Sequence, residues 1–200
     1  MKLIGQNSIS KYFSYFFLIL FWFIVFHFIY EIIGFSVLYY KYKTGSNILS
    51  DYFLLGNDVG WAKNEYTNPI KDVLKFKIYY PFTEQNLLTG IYIKNFIINS
   101  LIGSGFFTLF SFICYKITNS LSKDYIFNLK TINLFKKLAW LSILFVPIQI
   151  INWFYNLNLK MSADLLYTNF IFLSLGIIIF FIIAFFKKGY ELQSENDLTI

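Results

Sequence analysis

The sequence predicts an all-α membrane protein: a four-helix transmembrane bundle with a small extracytoplasmic α/β cap between spans 1 and 2. Three observations predict it. Hydrophobic residues make up 57% of the 200-residue chain, aromatics 23% and charged residues only 14%, against roughly 25% charge in ordinary soluble domains. Twenty-six Phe, sixteen Tyr and four Trp would overfill a water-surrounded core. Four apolar runs reach the roughly 20 residues that a hydrocarbon core about 30 Å thick demands, and the few charges cluster between those runs. Together these exclude a disordered tail, a collagen-like fibre, a disulfide scaffold and most soluble enzymes.

The spans fall at about 12–36, 95–115, 138–155 and 165–186 within a single membrane domain covering 1–200. The first run lies between Lys11 and Lys41 and is too long for a cleaved signal peptide. It also exceeds one crossing, so its last turns, from Glu31 to Tyr40, are expected to project beyond the bilayer. Glu31, Gly34 and the Tyr39–Tyr40 pair suit a wet or interfacial setting there. All seventeen basic residues are Lys, and the net charge is +6. Lys2, Lys11, Lys116, Lys136, Lys137, Lys187 and Lys188 flank the spans on one side, against Lys41, Lys43, Lys94 and Lys160 on the other. This bias puts both termini in the cytosol of a multi-pass inner (cytoplasmic) membrane protein. Trp153 and Tyr155 would join the outer aromatic belt, and Tyr12, Tyr15, Tyr115 and Trp140 the inner one. The Lys excess serves topology and anionic lipid contact; direct nucleic-acid binding is not expected, because Arg forks and a clustered basic face are missing.

The extracytoplasmic loop, 41–94, holds one clear pattern. Leu74, Phe76, Ile78 and Tyr80 alternate with Lys75, Lys77 and Tyr79, which predicts a half-buried strand ended by Pro81. Thr83 is then expected to cap a helix through Glu84, Gln85 and Asn86 leading toward the second span. So short a segment buries little core alone and should lean on the helix ends, as a spacer or as a recognition surface. The cytosolic connector, 116–137, has Asn128 as a helix cap and Ile132, Phe135 and Leu138 at helical spacing. It reads as an interfacial helix feeding the third span.

Candidate polar groups inside the spans are few. His27 and Glu31, four apart, share a helix face, either as an interfacial hydrogen-bonded contact or as a proton- or metal-responsive switch. Ser104 and Thr108 of the second span form one polar face with Ser100 and Ser111. Gln149 and Asn152 of the third form another with Ser142 and Asn156, beside a kink expected at Pro147. Such faces mark helix–helix contact or a polar path for a solute. A solitary His, a single Cys (Cys114), and the lack of a metal-protease motif, nucleophile elbow or phosphate loop argue against an enzyme. No cofactor or metal is expected.

The fourth span ends at Lys187–Lys188, followed by the cytosolic tail, 187–200. Phe186, Gly189, Leu192, Asn196, Asp197, Leu198, Thr199 and Ile200 form a Phe-x-x-Gly step, then Leu, then Asn-Asp-Leu-Thr-Ile. This resembles the closing signature of a bacterial four-span membrane family catalogued as a domain of unknown function, family twenty-nine seventy-five. The connector resembles the same family at Phe127, Asn133, Leu134 and Lys137, although Ile126 and Asn128 stand where the family shows Pro and Thr or Ser. The resemblance implies a membrane component often encoded beside a very short helix-turn-helix regulator, with no catalytic residues to carry over. The tail residues are therefore candidate partner-contact residues.

Two functions follow from these readings. The first is a non-enzymatic regulatory or interaction protein signalling to a small cytosolic helix-turn-helix regulator. The alternative is a small transporter, pore or export/immunity factor using the polar faces of spans 2 and 3.

Overall fold

The computed structural model describes residues 2–59, 73–123, 126–155 and 163–197. Four long helices, α1 (Ile9–Thr44), α2 (Lys94–Leu121), α3 (Leu129–Tyr155) and α4 (Ala163–Asp197), dominate it. Three short strands, β1 (Phe53–Gly56), β2 (Lys75–Tyr79) and β3 (Asn86–Ile91), lie between α1 and α2 in sequence. Each helix is long and apolar enough to cross a membrane, with windows of mean hydropathy 2.3, 1.8, 1.7 and 2.7 in chain order. The chain divides into two compact units, one of residues 26–103 and one of residues 1–25 with 104–200.

In the first unit the strands form an antiparallel sheet of order β1-β2-β3. The alternation that predicted β2 has its expected consequence: Phe76 and Ile78 are fully buried, while Lys75, Lys77 and Tyr79 are half-buried. The buried face meets the last turns of α1 at Phe35 and Leu38, and the first turns of α2 at Phe96, Ile97 and Leu101. Gly34 makes this approach possible, because a Cβ there would stand 2.8 Å from Ile78 Cδ1. The position expected to be wet is thus closed by the sheet. Lys41 is buried as well, its ammonium donating to the Phe53 carbonyl at 2.6 Å and the Ser50 hydroxyl at 2.9 Å.

The helix expected after Thr83 does not form. Pro81 and Phe82 occupy a reverse turn in which Thr83 N–H donates to the Tyr80 carbonyl, and Phe82 takes a left-handed φ of 61°. The Thr83 hydroxyl does accept an N–H, from Gln85 at 3.3 Å, but it closes a local turn instead of a helical one. Asn86 then starts β3, so the described part of the cap is a sheet alone.

In the second unit α3 pairs with α4 around Ile117, Ile132, Phe135, Leu138, Ala139, Ile179 and Ile183. The helix expected in the connector, feeding the third span, forms the first turns of α3. Its apolar face at Ile132, Phe135 and Leu138 is buried in this core, where protein offers denser contact than a headgroup layer. Asn128 caps the helix as its sequence position implies, its carboxamide oxygen accepting from Thr131 N–H at 2.8 Å. The Thr131 hydroxyl bonds Ser120 of α2 at 2.6 Å, both groups being buried. At Gly176 the α3–α4 pair packs closely, a Cβ there falling 2.5 Å from Ile143 Cγ1 and 3.1 Å from the Ala139 carbonyl. Small residues at such a crossing are the membrane alternative to a hydrophobic driving force.

Candidate functional site

Glu31 and His27 share a helix face but have different partners. The Glu31 carboxylate, only 2% exposed, accepts a short hydrogen bond from Ser100 of α2. The His27 imidazole stands edge-on to Tyr80, ring centroids 6.2 Å apart. One turn further along α1, the Tyr30 hydroxyl donates to the Tyr79 carbonyl at 2.9 Å. The face read as a possible switch is thus a seam: Glu31 ties α1 to α2, and His27 with Tyr30 borders the end of β2. Ser100 falls on the second-span polar face by spacing alone; its role as the carboxylate's partner shows only in three dimensions.

Two second-span hydroxyls, those of Thr108 and Ser111, bond their own helix. Thr108 donates to the Ser104 carbonyl at 2.8 Å and Ser111 to the Thr108 carbonyl at 3.0 Å. Ser142 of α3 does the same toward Leu138 at 2.9 Å. Gln149 and Asn152 are half-buried, as is Trp153. Asn169 of α4, which no sequence pattern singles out, is buried with its carboxamide oxygen lacking a partner among the described residues; the buried Trp153 indole N–H is in the same state. A lone Asn in an otherwise apolar run was the available signal.

A concave feature lies beside the sheet. Tyr39, Tyr42, Tyr92, Lys43, Lys94 and Ile97 line a cavity of about 420 Å³, with the Tyr42 and Tyr92 rings 5.6 Å apart. Burial first, and then the neighbouring Tyr39 and Tyr42, push the Tyr92 phenol above the ordinary tyrosine range. The Tyr39–Tyr40 pair was its only trace in the sequence. Among the described residues no three His, Cys, Asp or Glu side chains gather as a metal would require.

The tail signature divides into two parts. Phe186 packs against Phe127 and Phe135 with ring centroids 5.3 and 5.0 Å apart. Gly189 lies directly against the Phe127 ring, where a Cβ would stand 2.6 Å from Cδ1. The Phe-x-x-Gly step is therefore a slot for the connector's Phe127, and the two halves of the sequence signature meet in space. Leu192 is exposed. The side chains of Asn196 and Asp197, and all of Leu198, Thr199 and Ile200, lie outside the described residues.

Four membrane-compatible helices with a three-stranded sheet between the first two define a multi-pass membrane protein in contact with the lipid bilayer. The family model "Protein of unknown function (DUF2975)" matches residues 55–200, and the chain belongs to that family. No curated protein and no solved structure matches it.

Proposed function

We propose that the chain is a non-enzymatic regulatory component of the cytoplasmic membrane, both termini cytosolic, that signals to a small cytosolic helix-turn-helix regulator. The observation that carries this reading is the presence of two units, each with its own core, and of two helices, α1 and α2, that contribute residues to both. A ligand or a change in envelope state acting on the sheet unit would bias those helices between two arrangements. That is the physical requirement for coupling two sites. The contact surface for the regulator is the end of the tail: Leu192, which is exposed, with Asn196, Asp197, Leu198, Thr199 and Ile200 of the family signature. The class of that partner comes from the family resemblance. The chain acts by holding or releasing a protein, without a cofactor and without touching nucleic acid itself.

Fractionation of cells expressing the regulator tests this. With the chain present, the regulator sediments with membranes; in its absence the regulator is soluble. A regulator soluble in both cases contradicts the reading.

A further inference from the structure

The unit containing α3 and α4 has a hollow of about 570 Å³, lined by Lys116, Asn119 and Lys123 from α2 and its end, Lys130 from the first turn of α3, and Gln6 of the N-terminal segment. No carboxylate is among the described residues that line it; the connector's one acid, Asp124, lies outside the described residues. The N-terminal segment is fixed to this end of α2 by the Gly5 N–H, which donates to the Leu121 carbonyl at 3.0 Å. Lys116 holds its ammonium over the rings of Phe112 and Tyr115, 5.1 and 5.6 Å from their centroids. Phe112 belongs to the exposed apolar surface of the spanning helix, so one wall of the hollow continues into the lipid-facing surface. The first turn of α3 adds the positive end of a helix dipole.

We propose that this hollow binds a phosphate-bearing anion, supplied by the headgroup of an anionic lipid in the leaflet on the side of both chain ends. Three ammonium groups and the Asn119 amide give a phosphate charge-assisted hydrogen bonds, and the adjoining apolar wall receives the acyl chains. Lys136 and Lys137, further along α3, are not among the residues that line the hollow.

The chain purified in neutral detergent would be offered phosphatidylglycerol, phosphatidylcholine or inorganic phosphate, and bound lipid counted by native mass spectrometry. Phosphatidylglycerol is retained and phosphatidylcholine is not. The Lys123→Gln/Lys130→Gln chain loses affinity about thirtyfold, the effect of two lysines each contributing the usual amount near an anionic surface. The Lys123→Arg/Lys130→Arg chain keeps it, which separates lost charge from lost folding. Equal loss in a Lys136→Gln/Lys137→Gln chain, or full retention in the Lys123→Gln/Lys130→Gln chain, overturns the site. Inorganic phosphate binding more tightly than phosphatidylglycerol overturns the lipid source.

Discussion

The Phe127 ring occupies the space that a side chain at Gly189 would need, its nearest atom 2.6 Å from where a Cβ would stand. One residue belongs to the connector before α3 and the other to the last third of α4, and Phe186 completes the contact from the preceding turn. The start of the tail is thereby held to the unit's core, where Tyr190 also packs.

Gly189→Val should therefore destabilise the protein by about 1–3 kcal/mol, the usual consequence of overfilling a packed contact. Thermal unfolding in detergent would measure it. Combining it with Phe127→Ala should cost less than the sum of the two single changes, because one substitution vacates what the other fills. Strict additivity would show that the two positions do not share this space.

Glu31 is expected to act as a structural acceptor. Glu31→Gln retains an acceptor for Ser100 and should leave melting behaviour within about 1 kcal/mol of wild type, whereas Glu31→Leu removes the hydrogen bond between α1 and α2 and should lower stability by roughly 1 kcal/mol. The Gln variant should also respond to the signal as wild type does. A response locked in one state would assign Glu31 a titrating role instead.

Lys41 fastens the end of α1 to β1 through the Phe53 carbonyl and the Ser50 hydroxyl. Lys41→Met leaves that buried carbonyl without its donor and should lower stability by about 1–3 kcal/mol. Limited proteolysis between Thr44 and Phe53 should become faster while cleavage near α4 is unchanged. Equal protection in both proteins would show that the ammonium is dispensable.

What the sequence disclosed follows from which forces are local. The spans were legible because lipid demands long apolar runs, and β2 because Phe76 and Ile78 alternate with lysines at period two. β3 was missed: Leu87 and Leu88 are adjacent, Gly90 has no side chain, and Thr83 before Glu84 imitates a helix cap. The polar spacing of Ser104, Thr108 and Ser111 was visible, but not that Thr108 and Ser111 donate to their own helix. The slot at Gly189 could not be read at all, since a missing Cβ reveals nothing until its neighbour from another segment is in place. Glu31 was visible as an anomaly in an apolar run; its partner Ser100 was hidden by distance along the chain.

A reporter fused after Ile200 should be active only as a cytosolic marker, and one inserted near Asn57, beside β1, only as an exported one. Lysine flanking carries this expectation. The reverse pattern would invert the proposed orientation and remove a cytosolic partner from reach of the tail.

The measurement closest to the central claim is co-purification of the proposed helix-turn-helix regulator with two forms of this chain. The full-length form is compared with one ending after Gln193, which keeps Phe186 and Gly189 in their contact with Phe127 and removes only the residues beyond. Capture by the full chain and none by the shortened one is expected, at equal amounts in the membrane. Equal capture by both forms, or none by either, would contradict it.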